Sequence, residues 1–137
     1  MIVADTSALI AVVLGEVEAD RCEAVLIREP QVAVSAGTLM ELLVVATGRG
    51  VGAKVDRLLA GSNLEIVPLT ETRARAAAAA YARWGKGVHP AKLNLADCFA
   101  YALAQERGAP LLYVGDDFAQ TDVASALPGA ALAEPPA

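Results

Sequence analysis

Five carboxylates of the 137-residue chain stand where an apolar segment ends or a helix begins. Asp5 follows Ile2–Ala4, and the adjacent pair Asp116 and Asp117 follows Leu111–Val114. Glu41 lies in Thr38-Leu39-Met40-Glu41, and Asp97 in Asn94-Leu95-Ala96-Asp97. Each alone has a structural use. Asp5 can cap a helix starting at Thr6. The Thr38/Glu41 and Asn94/Asp97 spacings match a capping box. Gly115-Asp116-Asp117 can form a turn. Together they pose a different problem. Negative charges ~4 Å apart at a partly shielded site repel by about 4 kcal/mol and raise each other's pKa. A divalent cation removes that conflict. The donors are all oxygens, with no histidine or thiolate beside them, which suits Mg²⁺ or Mn²⁺ rather than zinc. Mg²⁺ uses one or two carboxylates and keeps waters, so a substrate phosphate has room and a water can serve as nucleophile.

The elements that must position these acids follow from periodicity and breakers. Strands are predicted at Ile2–Ala4, Val32–Ser35, Leu64–Val67 and Leu111–Val114, all short and apolar or β-branched. Helices are predicted at Thr6–Leu14, Glu16–Arg28, Thr38–Thr47, Lys54–Ala60, Thr70–Trp84 and Asn94–Arg107, with Gly15, Pro30, Gly48-Arg49-Gly50, Gly61 and Gly108 as stops. Strands alternating with helices imply βαβ units, so the expected fold class is α/β: three layers around a short, mainly parallel sheet of four to five strands. Sites in such sheets form at the carboxyl ends of the strands. The acids converge there if the first and fourth strands are neighbours.

Length favours a single domain over residues 1–137, with 129–137 a tail whose Ala130–Leu132 could add an edge strand before a frayed end. Hydrophobic residues make up 55% and mean hydropathy is +0.45, yet no apolar run reaches the ~20 residues of a membrane span. No basic leader precedes the first apolar run, which argues against a signal peptide. Cys22 and Cys98 fit neither a disulfide framework nor a zinc pattern and read as reduced core thiols of a cytoplasmic protein. A net charge of −5 argues against nonspecific coating of nucleic acid. It leaves a nucleic-acid enzyme open, because a bound metal reverses the local field.

Met1-Ile-Val-Ala-Asp5-Thr6-Ser7-Ala8-Leu9, the helix around Glu41, the Leu93-Asn-Leu-Ala-Asp97-Cys-Phe-Ala-Tyr-Ala-Leu-Ala104 stretch and Gly115-Asp-Asp-Phe118 together resemble a PIN domain of the VapC toxin type. The resemblance spans roughly residues 2 to 126. It implies the toxin of a type II toxin–antitoxin pair: an endoribonuclease dependent on Mg²⁺, homodimeric, and inhibited by an antitoxin whose C-terminal segment fills the toxin groove. Position by position, it implies Asp5 and Asp97 as direct metal ligands and Glu41 as a residue acting through water. It implies Asp116 as the fourth acid and a third metal ligand. Many family members carry Thr or Ser with Asn or Asp before the last Asp-Phe, where this chain has Val114-Gly115-Asp116-Asp117. The choice between Asp116 and Asp117 stays open, with Asp116 ranked first.

Several other residues draw attention. Lys86, His89 and Lys92 cluster in a glycine-rich segment read as a flexible loop, and they are candidates to touch RNA phosphates. Ser7 could lend a hydroxyl to the metal or make a turn hydrogen bond. Tyr81 and Trp84 read as core or dimer contacts, and Asp122 as the first turn of a short terminal helix. Leu9, Val12 and Val13, with Leu39, Leu42, Leu43 and Val44, exceed what one buried face of each helix needs and suggest a partner surface. Two rivals remain: a Mg²⁺-dependent phosphatase or phosphotransfer domain with an aspartyl nucleophile, and a non-catalytic antitoxin-binding module. Against the first, Ser7 stands where a second Asp would be expected two residues after Asp5.

Overall fold

A computed structural model describes residues 1–127. Its elements run β1 (Ile2–Ala4), α1 (Thr6–Leu14), α2 (Ala19–Arg28), β2 (Val32–Ser35), α3 (Ala36–Gly48), α4 (Gly52–Gly61), β3 (Leu64–Val67), α5 (Glu71–Trp84), α6 (Leu95–Arg107) and β4 (Leu111–Leu112). A 3₁₀ turn covers Phe118–Gln120. The four strands form one parallel sheet in the order β3-β2-β1-β4. This is the expected α/β class with helices on both faces. β1 is central, paired to β2 on one side and β4 on the other, so the first and fourth strands are neighbours.

Every residue of β1 and β2 is buried, which explains their unbroken apolar composition. One face of the sheet packs Val3 and Ala33 with α5 and α6 through Ala77, Ala80, Trp84, Ala100 and Leu103. The other packs Ile2, Ala4, Val32 and Val34 with α1 to α4 through Leu9, Val25, Leu42 and Val55. α3 and α6 come close at Gly37, where an added Cβ would lie 2.4 Å from the Phe99 ring. Glycine is therefore required there by space.

Some expectations need correction. α3 begins at Ala36, before Thr38, because the Ser35 hydroxyl accepts the Gly37 N–H and caps the helix. Thr38 is wholly buried inside the helix, so Thr38 and Glu41 form no capping box. α2 starts at Ala19, not Glu16. β4 stops at Leu112, because the Val114 N–H turns to the Ser7 hydroxyl and Gly115 takes a left-handed φ of 100°. Leu9 and Leu42 are fully buried and belong to the core, not to a partner surface. Asp122 starts no helix: Tyr101, Gln105 and Arg83 capture its carboxylate in irregular chain after the 3₁₀ turn. Residues 85–93 are tightly hydrogen-bonded, not a loose loop. Tyr81 and Trp84 pack in the core, and both cysteines are buried and free. Among the described residues no helix is long and apolar enough to cross a membrane. The edge strand considered at Ala130–Leu132 lies outside the described residues.

Candidate active site

Four polar or charged side chains are buried among the described residues: Asp5, Thr6, Ser35 and Thr38. All four lie at the carboxyl ends of β1 and β2 or in the helices that begin there. Asp5 is only 2% exposed and caps α1, its Oδ2 accepting the Ser7 N–H at 3.0 Å. Its backbone N–H donates to the Leu112 carbonyl at 2.9 Å, which fixes it to β4 as well. Thr6 Oγ1 donates to the Thr38 carbonyl at 3.2 Å and ties α1 to α3. Among the described residues two buried side-chain oxygens have no hydrogen-bond partner, Asp5 Oδ1 and Thr38 Oγ1, and both lie in this cluster. A buried carboxylate oxygen left unpaired is costly, and its presence calls for a ligand.

Asp97 reaches the same place from α6. It closes a capping box with Asn94: the Asp97 N–H donates to Asn94 Oδ1 at 2.8 Å, and the Asn94 N–H donates to Asp97 Oδ2 at 2.9 Å. The capping reading and the site reading therefore hold together for this residue. Burial pushes the Asp97 carboxyl up to about 7, against the Asn94 N–H, and the charges of Asp5, Glu41 and Asp117 push the same way. Burial likewise pushes Asp5 up to about 6, with Glu41 adding to it and the Ser7 hydroxyl and amide opposing. Glu41, in the second turn of α3, thus acts on both aspartates. These couplings bring Asp5, Glu41, Asp97 and Asp117 into one electrostatic neighbourhood.

The adjacent pair divides. Asp117 bears on Asp97, whereas Asp116 bears on Tyr113. Asp117 makes no side-chain cap to its own 3₁₀ turn. The Ser7 amide donates to Asp5, and its hydroxyl accepts the Val114 N–H at 3.0 Å. The groove between α5 and α6, about 770 Å³ and lined by Ala76, Ala80, Trp84 and Tyr101, includes none of these acids. They occupy the open edge of the sheet instead.

The oxygen-only donor set and the orphaned Asp5 Oδ1 fit a hard divalent cation. Among the described residues no three His, Cys, Asp or Glu side chains form a ready-made cage. One or two carboxylates completed by water match what Mg²⁺ accepts. Reasoning from sequence missed the buried polar floor of Thr6, Ser35 and Thr38. Its signal was present: each of the first two apolar strands ends in a hydroxyl or carboxyl residue.

Residues 2–124 match the PIN domain, so the chain belongs to the PIN-domain family. Its relatives narrow the class. Ribonuclease VapC42 of Mycobacterium tuberculosis is 42% identical over 125 residues, covering 88% of this chain and 95% of that protein. Ribonuclease VapC of Mycolicibacterium smegmatis is 39% identical over 126 residues, covering 90% and 98%. A toxin–antitoxin complex from Klebsiella pneumoniae contains a chain 26% identical with a TM-score of 0.67, covering 89% of this chain and 93% of that one. The fold is also that of Mycobacterium tuberculosis VapC20, a sarcin–ricin loop cleaving toxin, with a TM-score of 0.77 over 93% of this chain and 100% of that one, at 17% identity.

Proposed function

We propose that this chain is the toxin of a type II toxin–antitoxin pair and an endoribonuclease that hydrolyses RNA phosphodiester bonds with divalent-cation assistance. One observation carries the reading: Asp5 is buried with a partnerless oxygen, and burial, with the charge of Glu41 adding to it, raises the pKa of Asp5 and of Asp97. The names of the VapC relatives support the activity, and the Klebsiella pneumoniae complex supports the antitoxin.

Asp5 and Asp97 hold the cation, Mg²⁺ with Mn²⁺ as a substitute, and Asp117 replaces Asp116 as the fourth acid. When bound, such a cation supplies Lewis acidity to the phosphodiester and lowers the pKa of an attacking water. Glu41 would orient an attacking water and accept its proton. The departing ribose oxygen takes a proton from solvent. Lys86 and Lys92, which carry no ion pair among the described residues, contact RNA phosphates. His89 contributes through its loop, since its Nδ1 accepts the Ala91 N–H at 3.0 Å. The outward face of α3 presents Met40, Leu43 and Val44, 63%, 41% and 65% exposed, as the surface for a second copy and the antitoxin. The working compartment is the cytoplasm, where both thiols stay reduced.

The test is incubation of the purified chain with total RNA in Mg²⁺ and in excess chelator, with a phosphate monoester as a second substrate. Discrete RNA fragments formed only with the cation are expected. Monoester hydrolysis with intact RNA would establish the phosphatase rival instead, and partner binding with no cleavage in Mg²⁺ or Mn²⁺ the binding module.

A further inference from the structure

Trp84, the single tryptophan, ends α5 at the foot of the segment Gly85–Leu93. That segment is closed at its base. The Leu93 N–H donates to the Trp84 carbonyl at 3.1 Å, and the Lys86 N–H to the Leu93 carbonyl at 2.9 Å. Gly85 has no room for a Cβ, which would lie 2.3 Å from the Tyr81 carbonyl oxygen. The Val88 and His89 N–H groups both reach the Gly85 carbonyl, and the Lys92 N–H reaches the His89 carbonyl. The His89 ring stands edge-on against Trp84 at 4.7 Å. Lys92, with φ at 54°, is the one non-glycine residue in the left-handed region among those described. A residue with a side chain stays there only where its surroundings hold it. Among the described residues Lys86 and Lys92 make no ion pair, whereas every arginine of α5 and α6 makes one.

Trp84 is itself held. Its indole N–H donates to Tyr101 Oη at 3.0 Å, and the Tyr101 hydroxyl donates to Asp122 Oδ1. Gln105 donates to the same Asp122 oxygen, Arg83 pairs with the other, and the Arg83 guanidinium lies 4.4 Å over the indole ring. A chain of contacts therefore runs from the C-terminal segment through α6 to the loop that leads into the Asn94–Asp97 cap.

We propose that Trp84 is a positioning residue for RNA binding: braced by Tyr101 and Asp122, it fixes the Gly85–Leu93 loop so that Lys86 and Lys92 present a rigid pair of cations to a single-stranded RNA backbone. The ligand rests on the ribonuclease reading; the bracing does not. Two lysines held in fixed places displace counterions from two phosphates, and lysines on a loosened loop do so less completely.

Tyr101→Phe keeps the ring and removes the hydroxyl, and Trp84→Phe removes the indole donor should the first variant fold poorly. Amide exchange at Lys86, Val88, His89, Lys92 and Leu93 is expected to quicken about tenfold, with the β1 and β2 amides unchanged. In a cleavage-inactive Asp5→Asn background, fluorescence anisotropy with labelled random-sequence single-stranded RNA across a salt series reads binding. The slope of log K against log salt should become shallower by about 1, near the ~1.4 expected for two single-strand phosphates. In the active background KM should rise about fivefold with kcat within about twofold. Unchanged loop exchange overturns the bracing. Faster exchange with an unchanged salt slope reduces the network to a structural role and overturns the proposal. A wild-type chain that binds no RNA overturns the ribonuclease reading as well.

Discussion

Two sets of carboxylates on this molecule are treated in opposite ways. On the α5–α6 side, Glu65 is paired with Arg107 at 2.9 Å and Glu106 with Arg73 at 3.0 Å. Their arginines hold both carboxyls below the usual range. Glu71 and Asp122 also have arginine partners. At the edge of the sheet, Asp5, Glu41, Asp97 and Asp117 have no arginine or lysine in salt-bridge reach, and the two aspartates at its centre are pushed up to about 6 and about 7. The chain has 11 lysines and arginines for 16 acids and places its paired arginines elsewhere. An acid cluster left uncompensated where the backbone converges is the mark of a site that awaits a positive ligand.

The sharpest way to break this contrast is to remove charge from the pocket. Asp5→Asn or Asp97→Asn should lower Mg²⁺-dependent RNA cleavage by about 10³-fold or more, while far-ultraviolet circular dichroism stays that of the wild type. A variant retaining a tenth of the activity would disconnect these acids from the chemistry.

The next effect is on stability. In the cation-free protein Asp5 and Asp97 keep their protons to about 6 and about 7, against 3.8 for an ordinary aspartate. Between those values the folded chain binds more protons than the unfolded chain, so stability is greatest near the lower limit and falls as pH rises through 6 and 7. The loss from Asp5 is on the order of 3 kcal/mol, and half-buried Asp97 adds less because solvent screens it. Denaturant unfolding from pH 4 to 8 measures this. Millimolar Mg²⁺ should restore stability at pH 8 and change little at pH 4. Stability that climbs from pH 5 to 8 without cation would contradict the pocket described here.

A smaller effect separates the free cations from the paired ones. Lys86→Ala with Lys92→Ala should reduce the salt slope of RNA binding by about 1.4 and leave the melting temperature within ~2 °C. Smallest of all, Glu65→Ala or Arg107→Ala on the exposed, paired side should leave the denaturant unfolding midpoint nearly where it is in the wild type, with cleavage unchanged.

Much of this contrast could be read in the sequence, for a physical reason. β1 and β2 are apolar through their centres, and β3 is apolar but for Glu65 and is stopped by Pro68, so their limits were legible to the residue. Asp5 and Asp97 were legible because a strand end and a capping box leave local signatures. What depended on contacts across the fold was not. Ser35, not Thr38, caps α3, and the helix start packs against Phe99 of α6 at Gly37, a contact far off in the sequence. Which of Asp116 and Asp117 faces the other acids depends on how the chain turns past Gly115. The Trp84–Tyr101–Asp122 chain joins residues 84, 101 and 122, and no local pattern announces it.

The sheet order has a bearing on how the protein is made. Asp5 is synthesised first, yet its backbone is seated by Leu112, and its neighbour Ser7 by Val114, near the end of the described chain. The contacts that seat the first acid can therefore form only once the ribosome has passed Leu112 and Val114.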